Sequence, residues 1–175
     1  MNEKSHLNHL LLLIIATLLI STSGALGKFI AMPVPGIIWW RTVLAALFLL
    51  VFCIYKGINL KINNGKDRWT FFLAAIFMGA HWVTYFYALK LSNVAISMLS
   101  IFTFPVMIAL LEPLFSKTKL DRIHIVLGFI VLIGIYILAP EFDLESSQLQ
   151  GVLFGVLSAL CYALRILILK EIGRA

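Results

Sequence analysis

Charge is scarce in this chain. Of its 175 residues, 14 are Lys or Arg and 8 are Asp or Glu, so charged side chains make up 13% of the sequence. A water-soluble domain carries about 25%. Hydrophobic residues reach 62% and the mean hydropathy is +1.02. No packing in water hides that much apolar surface, so the bilayer has to be the solvent. Cysteine is scarce as well. Cys53 and Cys161 each sit inside an apolar run, a pattern that fits neither a disulfide framework nor a metal site, and both read as small packing residues. The signatures of catalysis are missing too. There is no Gly-rich phosphate loop, no His-Glu-x-x-His, no Gly-x-Ser-x-Gly and no acidic cluster for a metal, and His6, His9, His81 and His124 are scattered over different segments. An enzyme, a bound metal and a cofactor are therefore not expected. The net charge of +6 raises nucleic acid as a partner. The basic residues form no single patch, however, and lie in short segments between apolar runs, where a membrane protein keeps its orientation signals.

What is present is a series of apolar stretches near the roughly 20 residues that a helix needs to cross a bilayer. They cover about 7–26, 36–55, 69–89, 94–115, 123–139 and 151–169. The fold class is all-α, a polytopic membrane helix bundle of about six transmembrane helices. The first stretch also has features of a signal peptide, with Lys4 ahead of a leucine-rich run that ends in Ser21-Thr22-Ser23-Gly24-Ala25. It is longer than a signal core, and five further spans follow. The link between the third and fourth stretches is little more than Lys90-Leu91-Ser92-Asn93, which makes those helices antiparallel neighbours. There is no soluble domain or low-complexity tail, so the chain acts within the membrane.

Loop charge sets the expected orientation. Lys56, Lys61, Lys66 and Arg68 follow the second span, and Lys117, Lys119 and Arg122 follow the fourth. Lys4, Lys170 and Arg174 fall on the same side. Lys28, Lys90 and the acidic Glu141, Asp143 and Glu145 occupy the other. The positive-inside bias places both termini in the cytoplasm.

The sequence of the third and fourth spans, Ala88-Leu89-Lys90-Leu91-Ser92-Asn93-Val94-Ala95-Ile96-Ser97 and then Phe104-Pro105-Val106-Met107-Ile108-Ala109-Leu110, resembles the central signature of the EamA-like carriers of the drug/metabolite transporter superfamily. Arg41-Thr42-Val43-Leu44-Ala45-Ala46 is similar to that family's second helix. Gly128 with Gly134, and Gly24 followed by Lys28, also fit. One departure is Thr118, which stands where the family often has a glutamate. The resemblance implies ten helices in two five-helix repeats of opposite orientation, with the substrate path between them. It divides this chain into a first repeat, 1–140, and the opening helix of a second, 151–175, about four helices short. It further implies a bacterial inner-membrane carrier that exports or exchanges small metabolites such as amino acids by alternating access. A truncated, non-transporting protein, or a structural subunit that needs partner helices, is the other reading. The expected partners are lipid, a small-molecule substrate, and the missing C-terminal helices or a partner chain.

Polar residues within a bilayer are costly, and their placement is the main functional clue. His81 and Tyr85 share a face of the third span, beside Trp82; they read either as substrate or proton contacts or as a histidine satisfied by a neighbouring carbonyl. Trp39, Trp40 and Arg41 open the second span. The tryptophans suit an interfacial belt, while Arg41 either snorkels or draws a substrate carboxylate. Ser97 and Ser100 precede Pro105, whose missing N–H frees a carbonyl one turn earlier and marks a kink that serves either structure or substrate. Glu112 reads as a proton-coupling carboxylate together with His81, or as a partner of Lys117, Lys119 or Arg122. Tyr162 and Arg165 on the sixth span lie on the face expected to meet the first repeat, with snorkelling the alternative for Arg165.

Overall fold

The computed structural model describes residues 3–62, 64–115, 122–138 and 146–172. All regular structure among them is helical, in seven segments. These are α1 (Glu3–Phe29), α2 (Val34–Tyr55), α3 (Gly65–Leu91), α4 (Val94–Ile101), α5 (Phe104–Phe115), α6 (Arg122–Leu138) and α7 (Ser147–Ile172). Five spans are long and apolar enough to cross a membrane, one of them the broken pair α4 and α5, Val94–Phe115. The sixth expected span is the shorter apolar helix α6. Lys117, Thr118, Lys119, Glu141, Asp143, Glu145 and Arg174 lie outside the described residues.

The helix ends follow local chemistry. Asn64 caps α3 by accepting a hydrogen bond from the Lys66 amide at 3.1 Å, and Asn93 caps α4 by accepting from the Ile96 amide at 2.9 Å. Pro33 and Pro35 open α2, where a missing N–H costs nothing. At its other end Gly57 adopts φ +64°. Its amide donates to Ile54 O, and that of Ile58 to Cys53 O, the paired closure that a left-handed glycine permits. The α3–α4 turn is Ser92-Asn93 alone, tighter than the sequence reading. The fourth span breaks at Phe102-Thr103. Pro105 has no N–H to return to the Ile101 carbonyl, and at the break the Thr103 amide and hydroxyl both donate to Ser100 O, at 3.3 and 2.8 Å.

The core sits where α7 packs along α3 and against α4 and α5. One face of α7 carries Gly151, Gly155, Ala159 and Ala163 at four-residue spacing, all of them buried. A β-carbon on Gly151 would stand 2.4 Å from Ser92 Cβ, and one on Gly155 would stand 2.5 Å from Ser100 Cβ. Such a stripe lets helix backbones approach closely, which matters in lipid, where no hydrophobic effect draws helices together. The buried polar side chains His81, Ser92, Ser97, Ser100, Thr103 and Ser158 concentrate in this seam. Among the described residues no buried side-chain nitrogen or oxygen lacks a partner, as a medium without water demands. A second cluster, Val34, Ile37, Tyr85, Phe86 and Leu89, joins α2 to α3. Elsewhere α1, α2 and α6 present long apolar faces, such as Leu44, Phe48, Val51 and Ile133, which suit lipid.

At one end of the bundle the C-termini of α1 and α3 are tied crosswise. Lys28 Nζ donates to Lys90 O at 3.2 Å and to Ser92 O, and Lys90 Nζ donates to Lys28 O at 3.2 Å and to Ile30 O. Each ammonium thus caps the carbonyl end of the other's helix, where the helix dipole favours positive charge.

Candidate functional site

His81 lies midway along α3 and is 6% exposed. Its Nδ1 is 3.1 Å from Ser158 O and 2.9 Å from Ser158 Oγ, while Ser158 Oγ donates back to His81 O at 2.9 Å. A carbonyl only accepts, so Nδ1 carries the proton in this arrangement and the neutral ring keeps its lone pair on Nε2. The exchange is local to the α3–α7 seam. It orients the imidazole as a fixed element of the wall of a cavity of about 420 Å³.

Aromatic rings continue from His81 in both directions. The Tyr85 ring stacks at 6.3 Å, and the Tyr162 ring lies at 4.8 Å. Tyr162 meets Phe104 edge-on at 5.0 Å, and Phe104 is 6.4 Å from Phe102. The Tyr85 hydroxyl donates to Met98 Sδ at 3.3 Å. Gly24 of α1 faces this pair, and a β-carbon there would come within 2.9 Å of Tyr85 Oη. The helix break thus places Phe102 and Phe104, on either side of it, in the cavity wall.

Arg41 of α2 closes the opposite side. Its Nη1 donates to Ser23 Oγ at 2.9 Å. The guanidinium carbon lies 5.0 Å from the Trp82 ring centroid and 5.9 Å from that of Phe86, within cation–π range. Beyond Arg41 is a second cavity of about 440 Å³ between α1, α2 and α3, walled by Leu26, Gly27, Ile37, Trp40 and Phe86. Together these features make a membrane-embedded chamber with a fixed imidazole, a guanidinium and aromatic walls, sized for a small organic solute.

A model of the EamA-like transporter family matches residues 7–139. The chain belongs to the EamA-like transporter family. No curated protein and no solved structure matches it. This EamA-like chain is thus a polytopic membrane protein of a family of small-molecule transporters rather than of enzymes. The matched span ends before α7, the helix that packs deepest.

Of the residues singled out in the EamA-like sequence, the structure gathers Arg41, His81, Tyr85 and Tyr162 around the 420 Å³ cavity. Trp40 lines the second one while remaining 56% exposed, and Trp39 is 66% exposed. Ser97 and Ser100 line neither. They are 0% and 1% exposed, with the Ser97 hydroxyl on Asn93 O and Ser92 Oγ and that of Ser100 on Ile96 O. Pro105 also lines neither, although its neighbour Phe104 does. Glu112 forms an ion pair with Lys170 of α7 at 2.5 Å, a partner the sequence reading did not name. Lys117 and Lys119 lie outside the described residues, and only the backbone of Arg122 is described. Arg165 rests over the Tyr162 ring at 5.7 Å. The sequence reading also missed Ser158, the polar partner of His81, and Trp82 as the platform for Arg41. The signal for Ser158 was available: it adjoins Ala159 in the Gly151–Gly155–Ala159–Ala163 repeat, a spacing that marks a helix contact face.

Proposed function

We propose that this chain carries small metabolites, amino acids among them, across a bacterial inner membrane as an exporter or exchanger working by alternating access. The observation that carries the reading is the chamber, where His81, Arg41 and the aromatic rings face one space beside a break in the fourth transmembrane helix. A break at Phe102-Thr103 beside the cavity supports a hinge, because discontinuous helices are where carriers bind substrate and bend. The substrate-path residues are Trp40, Arg41, His81, Tyr85 and Tyr162. Ser97, Ser100 and Pro105 act behind them, on the buried face of α4 and at the hinge. His81 and Glu112 are the groups through which protons would couple.

In this reading residues 1–140 form a first repeat and 151–175 open an inverted second one, completed by further helices or by a partner chain. Both termini face the cytoplasm, as the basic α2–α3 loop supports. The test is flux of a labelled mixture of amino acids and organic carboxylates through vesicles that hold the purified chain, alone and with any downstream helices. Flux above empty vesicles that falls when His81 is replaced by Ala supports the reading. Flux no greater than in empty vesicles for both chains sinks it.

A further inference from the structure

The two cavities have only Ser23 and Arg41 in common. A guanidinium therefore borders both spaces. Its faces are taken up by Trp82 and Phe86 and one N–H by Ser23. A guanidinium has five N–H donors in a planar fork shaped for an oxyanion. Among the described residues no carboxylate pairs with Arg41, and neither cavity has an Asp or Glu in its wall. The charge lining the two cavities is the positive one of Arg41, and Arg165, over the Tyr162 ring, adds a second positive charge nearby. An anion entering this space gains what a cation loses.

We infer that the two cavities form one path selective for small organic carboxylates with an aromatic or branched apolar body, and that Arg41 is the residue that binds the carboxylate. The inference rests on the carrier reading and narrows it. The wall beside His81 includes Trp82, Tyr85, Phe102, Phe104 and Tyr162, with the hydroxyls of Thr17 and Ser21 further along it; it receives a ring and offers no carboxylate to hold an ammonium. A simple carboxylate is therefore preferred to the zwitterion of the same shape. The phosphate of a lipid headgroup offers the same oxyanion chemistry. Arg41 is the eighth residue of α2, about 10 Å along the axis from its start. Reaching outward to a headgroup would cost it the stacking on Trp82 and Phe86, so a solute inside the chamber is the better match.

The test is equilibrium binding to the purified full chain in phosphatidylcholine nanodiscs, with labelled phenylacetate as probe. Phenylacetamide, phenethylammonium and phenylalanine serve as competitors. The expected result is that phenylacetate competes at least tenfold better than each of the three, and that Arg41→Gln weakens its binding at least tenfold. Arg41→Lys, which keeps the charge, still prefers phenylacetate to phenylacetamide and covers the case in which the glutamine variant does not fold. Equal binding of phenylacetate and its amide by the wild type overturns the inference. So does a tenfold loss of phenylacetate binding when anionic phosphatidylglycerol is added to the disc, which would make the headgroup the occupant. Because no gradient is used, binding without flux defeats the carrier reading and leaves the carboxylate site standing. Flux of other solutes without phenylacetate binding does the reverse.

Discussion

Replacing Lys28 with Met removes one ammonium that makes two hydrogen bonds at the carbonyl end of α3 and nearly keeps the length of the side chain. A hydrogen bond to a charged group contributes about 1.5–3 kcal/mol net, and the dipole contribution at a helix C-terminus is about 0.3–1 kcal/mol. The Lys28 contacts are partly buried, which screens them only in part, so about 2 kcal/mol is lost. Of the two Lys90 contacts that to Lys28 O is partly buried and that to Ile30 O is exposed and more fully screened, so Lys90→Met is worth about 1 kcal/mol by the same reasoning. At 1.4 kcal/mol per tenfold, the opening equilibrium shifts about 30-fold for K28M and about fivefold for K90M. The helix ends are otherwise lightly held, since α1 is mostly exposed. Hydrogen exchange followed by mass spectrometry over 26–30 and 88–92 reads these shifts directly. Either lysine alone still bridges the two ends, so the double variant should lose more than the sum. Protection within twofold of wild type in K28M, or a larger effect from K90M than from K28M, refutes the reasoning.

Gly151→Ala and Gly155→Ala press a methyl onto Ser92 and Ser100 and are expected to cost about 1–3 kcal/mol each in thermal or denaturant unfolding in detergent. Gly134→Ala, where nothing lies within 4 Å of the added carbon, should be neutral or gain up to about 1 kcal/mol; the opposite order would discredit the small-residue seam. Ser158→Ala leaves the His81 Nδ1–H the Ser158 carbonyl but removes two hydroxyl contacts, for an expected loss of about 1–2 kcal/mol by the same assay. The Glu112–Lys170 pair is partly exposed, at 27% and 42%. Glu112→Gln should therefore change stability by less than about 1 kcal/mol, while removing the pH dependence of flux if that carboxylate carries the proton.

The spans were legible because a bilayer allows few alternatives. A run of some 20 apolar residues is both necessary and nearly sufficient for a crossing helix. The tight α3–α4 turn was readable from its length, and the weakness near Pro105 from the missing N–H. The exact break, at Phe102-Thr103, was not, since it depends on which freed carbonyl finds a local hydroxyl. The shared face of His81 and Tyr85 followed from helical spacing, and the structure brings their rings within 6.3 Å. What stood opposite them did not follow. Nothing in the local pattern pairs His81 with Ser158, 77 residues away, or places Arg41 on Trp82 rather than at the membrane surface. Both depend on how closely helices approach, which one or two glycines decide. Serines at helical spacing read alike whether they face a cavity or a neighbouring backbone, and Ser97 and Ser100 show the second arrangement here.

The bond between His81 and Ser158 also has a consequence for how the protein is made. A ribosome adds about 5–20 residues per second. With 77 residues between the partners, His81 leaves the ribosome about 4–15 s before Ser158. During that interval the imidazole lacks its α7 partner, whereas the hydroxyls of Ser92, Ser97 and Ser100 already bond to carbonyls four residues earlier in the chain. On this order of synthesis the ring gains its Ser158 partner only once α7 has been made.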